Sequence, residues 1–223
     1  MPRVHARGGR IRGAPSTVDR PRPGGLRAVL LDFGGVIAEE GVRLGLEAIA
    51  RRHDVDPDVL RREADDAIYE TGYITGRGTE ADFWERLRQR TGIAGTDDEL
   101  TGEILRRFIL RPRMIAAVRG LRRHGVAVAI LSDQTDWLER LDARDGFFLE
   151  FDRVFNSYRL GKGKRDATVF DDAVRALGAD PAETLFVDDN PGHVGRARSR
   201  GLAALLFRTE DAFLPELASW TAS

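Results

Sequence analysis

Short apolar runs alternate with segments of helical periodicity along most of the 223-residue chain. The runs lie at residues 28–31, 126–131, 184–187 and 202–207, and a weaker one lies at 153–156. Short, wholly apolar runs bounded by turn residues are typical of strands that are buried on both faces of a sheet. This alternation predicts an α/β fold with a doubly wound, Rossmann-like parallel sheet.

The segment between the first two runs has a helical pattern and no convincing strand. Apolar residues recur on one face over residues 42–50 and again over 60–68, and Pro57 marks the break between them. Thr79 and Thr96 each precede an acidic residue by three positions, which is typical of the N-terminal cap of a helix. We therefore expect several helices in succession here.

The pattern divides the chain into three parts. Residues 26–38 and 111–223 carry the alternation of strands and helices, and they form the expected α/β core. Residues 39–110 form the expected helical cap, inserted into that core. Residues 1–25 hold arginine, proline and glycine with few apolar residues, so we expect a disordered tail. A nucleic-acid-binding arm or a transit peptide is the alternative for this tail.

Composition narrows the classes of function. The chain has 35 basic and 36 acidic residues, and its net charge of −1 does not favour nucleic acid as a partner. No apolar run is long enough to span a bilayer, so we expect no membrane association. The absence of cysteine excludes thiolate catalysis and cysteine-ligated zinc. Because the sequence has no secretory apolar region, we expect a cytoplasmic protein. The oligomeric state has no signal in the sequence.

Polar residues directly follow three of the apolar runs. Asp32 follows the first, Ser132 and Asp133 follow the second, and Asp188 and Asp189 follow the run at 184–187. Because the carboxyl ends of parallel strands share one edge of a sheet, we expect these residues to meet. Clustered carboxylates need a cation between them, and oxygen ligands select a hard ion such as Mg²⁺.

Lysine is rare in this chain. Lys162 and Lys164 are its only lysines among 35 basic residues, and they lie two positions apart. Lysine carries a compact point charge, so the pair indicates a site that needs a small cation. An ammonium group and the hydroxyl of Ser132 suit the oxygens of a phosphate. A carboxylate such as Asp32 that faces phosphorus is a nucleophile of the aspartyl-phosphate type.

Four motifs in this order resemble the haloacid dehalogenase-like hydrolase superfamily, in the branch with a helical cap between the first two core motifs. The resemblance covers roughly residues 26–210. The matching segments are Leu31–Val36, Ile130–Asp133, Ser157–Asp166 and Phe186–Pro191.

The resemblance implies a role for each matching residue. Asp32 is expected to be the nucleophile and a ligand of Mg²⁺. The carbonyl of Gly34 and the carboxylates of Asp188 and Asp189 are expected to complete the protein's share of the metal ligands.

The same resemblance implies a binding site for the substrate's phosphate. Ser132, Asp133 and Lys164 are expected to form it, and Lys164 is expected to neutralise charge between Asp32 and the transferring group. For Lys162 we expect a solvated surface position.

One residue departs from the family pattern in a way that affects the chemistry. Most phosphatases of this family have a second aspartate, which works as acid and base, where this chain has Gly34. General acid–base assistance contributes about 10² to 10⁴ in rate. Glu39, Glu40 and Asp133 are candidate replacements, and the spacing does not select among them. Arg165 also stands where the family usually has proline, which affects the loop more than the chemistry.

The resemblance therefore implies a Mg²⁺-dependent phosphatase that acts on a small, sugar phosphate-like metabolite through an aspartyl-phosphate at Asp32. A 2-haloacid dehalogenase-type hydrolase is one alternative, although a metal-free site has no use for both Asp188 and Asp189. A catalytically weak or silent binding module is the other, and Gly34 supports it. The four histidines have no metal-ligand spacing, so we expect them at surface or capping positions.

Overall fold

The structure is a computed structural model, and it describes residues 25–221. The tail predicted for residues 1–25 therefore lies outside the described residues, apart from Gly25. Within the described range, no helix combines the length and apolar character needed to cross a membrane.

Within residues 25–221, five parallel strands form one sheet. In spatial order they are β3, β2, β1, β4 and β5. The register places Leu31 of β1 beside Ile130 of β2 on one side and Val187 of β4 on the other. The strands are β1 Ala28–Leu31, β2 Ala127–Ser132, β3 Arg153–Asn156, β4 Thr184–Asp188 and β5 Ala203–Leu206. This sheet, with helices on both faces, confirms the predicted α/β doubly wound fold.

The connections between the strands are helical. Before β2 come α1 Gly41–Arg52, α2 Pro57–Glu70, α3 Glu80–Thr91, α4 Asp97–Leu105 and α5 Pro112–Arg123. After β2 come α6 Trp137–Asp145, α7 Ser157–Leu160, α8 Thr168–Leu177, α9 Pro191–Ser199 and α10 Glu210–Thr221. Helices α1 to α4 occupy the segment 39–110, all of which the structure describes.

Alternate strand residues pack into two separate apolar cores. Val29 and Leu31 of β1 face the core that α5, α6 and α10 cover, and this core continues into α1 to α4. Leu30 faces the opposite core, which α8 and α9 cover. In that second core the rings of Phe170 and Phe186 meet edge to face with centroids 5.0 Å apart. Burial on both faces explains why the strands read as continuous apolar runs.

Two predicted helix caps are confirmed. The side chain of Thr79 accepts from the N–H of Asp82, and the carboxylate of Asp82 accepts from the N–H of Thr79. The same reciprocal bonding links Thr96 and Glu99 at the start of α4. Each pair satisfies two backbone donors that a helix end otherwise leaves unpaired.

The two ends of the helical segment 39–110 lie side by side next to the sheet. The N–H of Glu39 donates to the carbonyl of Ile109, and the N–H of Arg111 donates to the carbonyl of Ile37, both at 2.9 Å. The guanidinium of Arg111 also donates to the carbonyl of Gly35 at 2.6 Å. These bonds hold the start of α1 beside the loop that follows β1.

Further contacts join the inserted helices to the sheet side. The hydroxyl of Ser157 donates to the carbonyl of Ile74 at 2.8 Å. The guanidinium carbon of Arg165 lies 3.4 Å from the centroid of the Tyr69 ring, a stacking contact between the loop before α8 and α2. Arg165, at the position where the family usually has proline, thus links the two parts of the fold.

Two glycine-to-alanine substitutions test how closely α1 packs on α4. A Cβ at Gly45 would lie 2.7 Å from the backbone Cα of Ile104, whereas a Cβ at Gly102 would meet nothing within 4 Å. We expect Gly45→Ala to lower the free energy of unfolding by about 1–3 kcal/mol through overpacking. Gly102→Ala should raise it by about 0.5–1 kcal/mol, because alanine is the better helix former. Denaturant unfolding of both variants measures this. Equal stabilisation by both would contradict the close packing.

Candidate active site

Three neighbouring strands end in polar residues at one edge of the sheet. Because β1 pairs with both β2 and β4, the strand ends bring Asp32, Ser132 and Asp188 side by side. A cavity of about 450 Å³ opens at this edge, and residues from α1 and α2 line its other wall. A cavity of this volume is typical of a site for a small-molecule ligand.

The carboxylate of Asp32 is held by three donors. Its Oδ1 accepts hydrogen bonds from the N–H of Phe33 at 2.7 Å and from the hydroxyl of Ser132 at 2.6 Å. Its Oδ2 lies 2.9 Å from the Nζ of Lys164. The carboxylate therefore has one fixed orientation toward the cavity, which is what an attacking group needs.

Lys164 joins the ends of β1 and β4. Its Nζ lies 2.9 Å from Asp32 Oδ2 and 2.6 Å from Asp188 Oδ2, and only 1% of its surface is exposed. Its backbone is held as well. The N–H donates to Asp133 Oδ1 at 2.8 Å, and the carbonyl accepts from Arg196 Nε at 2.7 Å.

This arrangement separates the pKa values of the two buried carboxylates. Burial raises the pKa of Asp32 to about 8, against the opposing effect of Lys164 and with a further increase from Asp188. Burial also acts to raise the pKa of Asp188, but Lys164 and His193 outweigh it and lower that pKa to about 2. The ammonium together with His193 outweighs the effect of burial at Asp188, whereas the ammonium alone does not outweigh it at Asp32.

Lys164 stays protonated in this environment. Burial acts to lower the pKa of its ammonium, but the carboxylates of Asp32 and Asp188 outweigh that effect and raise the pKa above its ordinary value.

His193 belongs to this cluster, which corrects the expectation of a surface or capping position. It lies in the first turn of α9, and its Nδ1 is 3.1 Å from Asp188 Oδ2. Ligand atoms of Asp32, Asp188 and His193 all lie within 4.8 Å of one another, so this group could hold a metal ion. The sequence holds one signal for this position, because His193 follows Asp189 by four residues, in the helix that begins directly after the strand-end aspartates.

Asp189 reaches the loop that follows Asp32. Gly35 in this loop has φ of +78°, and a Cβ there would overlap the Oδ2 of Asp189. Glycine is needed at position 35 for both reasons. The carboxylate of Asp189 therefore lies beside Gly35, the residue that follows the proposed carbonyl ligand Gly34.

Asp133 holds the loop that contains Gly163 and Lys164. Its Oδ1 accepts the Lys164 N–H, and a Cβ at Gly163 would lie 2.7 Å from the same oxygen. This contact gives its carboxylate a positioning role, and its part in phosphate binding stays a prediction. Lys162 is not at the site, because its Nζ donates to Thr168 Oγ1 at 2.9 Å on the far side of the loop.

The wall from α1 brings a further carboxylate to the cavity. A Cβ at Gly34 would lie 3.1 Å from Glu40 Oε1, while Glu40 Oε2 accepts the N–H of Arg43 at 2.8 Å and caps α1. Burial raises the pKa of Glu40. Glu39 is directed elsewhere, with its Oε2 3.1 Å from Arg111 Nη2.

Comparison with known proteins decides the family. The sequence profile of the hydrolase family described as haloacid dehalogenase-like hydrolase matches residues 26–198. The chain belongs to the haloacid dehalogenase-like hydrolases. This membership confirms the resemblance found in the four sequence motifs and makes the chain a hydrolase.

Two curated relatives show how similar the sequence is to those of other proteins. The haloacid dehalogenase-like chain is 31% identical over 200 residues to a phosphoserine phosphatase of Thermus thermophilus, a match that covers 80% of each protein. It is 30% identical over 115 residues to bifunctional epoxide hydrolase 2 of Sus scrofa, which covers 48% of this chain. The chain spans only 20% of the length of that epoxide hydrolase.

Solved structures share the haloacid dehalogenase-like fold. A HAD family enzyme from Bacteroides thetaiotaomicron superposes with a TM-score of 0.70 at 19% identity, over 86% of this chain and 98% of that one. The same enzyme has been crystallised with magnesium and inorganic phosphate. An L-2-haloacid dehalogenase from Xanthobacter autotrophicus with covalently bound chloropropionic acid superposes with a TM-score of 0.61 at 22% identity, covering 89% of this chain and 84% of that chain.

The two lysines of this haloacid dehalogenase-like hydrolase form a matched test of the buried cluster. Lys164→Met leaves two buried carboxylates without their cation, and we expect a loss of about 3–5 kcal/mol in the free energy of unfolding. Lys162→Met removes a partly exposed ion pair and should cost about 0–1 kcal/mol. Chemical denaturation measures both. A Lys164→Met protein as stable as Lys162→Met would show that the bridge contributes no more than a surface pair.

Proposed function

We propose that this hydrolase is a Mg²⁺-dependent phosphatase, which hydrolyses a small phosphorylated metabolite through an aspartyl-phosphate at Asp32. The observation that carries the proposal is the buried bridge from Lys164 to both Asp32 and Asp188 at the floor of the cavity. The likeness to a phosphoserine phosphatase and the magnesium and phosphate complex of a structural neighbour support the same chemistry.

Asp32 acts first in the proposed reaction. An oxygen of its carboxylate attacks phosphorus, the bond from phosphorus to the ester oxygen breaks, and the leaving oxygen takes a proton from an acid of the site, which the water of the second step replaces. Water then attacks the phosphorus of the acyl phosphate, which releases inorganic phosphate and restores the carboxylate. Ser132 and Lys164, already bonded to Asp32, are placed to bind phosphoryl oxygens and to stabilise their charge.

The donor set fits a hard divalent cation. Asp32, Asp188 and Asp189 offer carboxylates and Gly34 a carbonyl, and the single ammonium of Lys164 leaves the carboxylate cluster with excess negative charge. Burial and, to a smaller extent, Asp188 raise the pKa of Asp32, and a bound cation would favour its ionised form. When bound, Mg²⁺ would neutralise the carboxylates and the phosphate together. The side chain of His193 adds a nitrogen donor at the edge of this set, bonded to Asp188.

The helical segment 39–110 is proposed as the cap that selects the substrate. Its wall of the cavity combines apolar Val42 and Leu46 with basic Arg43 and Arg61. Such a mixed wall suits a small polar metabolite, such as a sugar phosphate, better than a polymer. The cytoplasmic location stays a prediction.

Hydrolysis of an aryl phosphate tests the proposed function. We expect turnover with Mg²⁺, loss of turnover with EDTA, and a decrease on the order of 10³ or more for Asp32→Asn, because the nucleophile is gone. The control is Asp66→Asn, an exposed carboxylate on α2. Halide release from a 2-haloacid without Mg²⁺ would favour the dehalogenase. No turnover of any substrate would favour a silent module.

Thermal unfolding tests the metal independently of activity. A ligand that binds only the folded state at 100 times its Kd stabilises it by about 2.7 kcal/mol. We expect Mg²⁺ to raise the unfolding temperature of the wild-type protein and to have a much smaller effect on Asp189→Asn. Asp66→Asn should respond as the wild type does. An equal response of Asp189→Asn would remove this residue from the metal ligands.

A further inference from the structure

We infer that Glu40 is the general acid and base of this active site, in the place of the side chain that Gly34 lacks. The inference rests on the proposed phosphatase function. In the first step the carboxyl of Glu40 gives its proton to the ester oxygen as the bond to phosphorus breaks. In the second step the carboxylate takes a proton from the water that attacks the acyl phosphate. Each turnover thus returns Glu40 to its protonated form.

The reaction itself calls for such a group. An alkoxide is a poor leaving group, and its departure is assisted when a positioned acid protonates it in the transition state. Asp32 cannot supply the proton because it is bonded to phosphorus in the intermediate. Position 34 has no side chain to supply it either.

The position of Glu40 meets this need. Its Oε1 lies 3.1 Å from the place where a Cβ of residue 34 would be, so it occupies the space that an acidic side chain at position 34 would fill. Phe108 and Gln134 border the same space, at 3.3 Å and 3.6 Å from that Cβ position. Glu40 and Asp32 both line the cavity.

The hydrogen bond that caps α1 fixes the orientation of Glu40. Its Oε2 accepts the N–H of Arg43 at 2.8 Å, which directs Oε1 toward the loop at Gly34. A carboxyl held by one oxygen can donate from the other. The same contact that begins the helix therefore orients the acid.

The other candidate groups do not occupy the space beside Gly34, where Glu40, Phe108 and Gln134 are the nearest neighbours. Glu39 pairs with Arg111 outside the cavity. Asp133 also lines the cavity, but its Oδ1 accepts the backbone N–H of Lys164, on the side of β2. Asp188 is fully buried and bonded to Lys164. Of the three replacements that the sequence leaves open, the geometry selects Glu40.

A comparison of leaving groups tests the inference. Glu40→Gln keeps the size of the side chain and an oxygen that can cap α1, but it has no proton to transfer. We expect kcat/KM for an alkyl phosphate, glycerol 2-phosphate, to fall by about 10²–10⁴. With 2,4-dinitrophenyl phosphate, whose leaving group needs no protonation, the fall should stay below about 10-fold. A kcat/KM within 10-fold of the wild-type value on this second substrate also shows that the variant is folded, while kcat falls on both substrates because the second step still needs the base.

Two further variants separate catalysis from capping. Glu39→Gln alters the neighbouring carboxylate, and it should keep the wild-type ratio between the two substrates. Glu40→Asp keeps a capping carboxylate but shortens its reach, so it should lose activity selectively on glycerol 2-phosphate.

Other outcomes would overturn the inference or its premise. If Glu40→Gln lowers kcat/KM by one factor for both substrates, or lowers it for neither, Glu40 does not protonate the leaving group. The same conclusion follows if Glu39→Gln, and not Glu40→Gln, shows the selective loss. If the wild-type protein cleaves neither substrate with Mg²⁺, the proposed function fails and the role of Glu40 fails with it.

Discussion

The rest of the site depends on two buried ion pairs, which the ammonium of Lys164 makes with the carboxylates of Asp32 and Asp188. Two carboxylates at neighbouring strand ends would repel each other strongly away from water, and a buried charge without a partner is costly. Lys164 allows both to lie there. Because its own backbone is bonded to Asp133 and to Arg196, the cation also ties the end of β2 and helix α9 to the same point.

The parallel register of the strands brings the two carboxylates close together. Leu31 pairs with Ile130 and with Val187, so the residues that follow β1 and β4 emerge together, although more than 150 positions separate them in the sequence. A slip of one residue in β1 would exchange its two faces and move Leu30 out of the core of α8 and α9. Packing on both faces of the sheet therefore sets the geometry of the site as well as the fold.

The difference between local patterns and contacts of distant segments explains what the sequence could predict. The strands, the caps at Thr79 and Thr96 and the strand-end carboxylates follow from local periodicity and from the rule for parallel edges. Helix α10 had no such signal, since Pro215 lies inside it. The place of His193 and the choice of Glu40 over Glu39 depend on contacts between segments distant in sequence. The sequence does not distinguish Glu39 from Glu40. In the structure Glu40 caps α1 at the cavity, whereas Glu39 pairs with Arg111.

Because Glu40 lies at the start of α1, the proposed acid belongs to a different element from the nucleophile. An aspartate at position 34 would belong to the same loop as the nucleophile and would move with it. Glu40 instead caps the first helix of the inserted segment, one turn before Arg43 on the cavity wall. Its distance from Asp32 therefore depends on how α1 sits over the strand ends, which the bonds of Glu39 to Ile109 and of Arg111 to Ile37 hold in place. In the proposed reaction, the residues of α1 on the cavity wall and the acid that protonates the leaving group therefore belong to one helix.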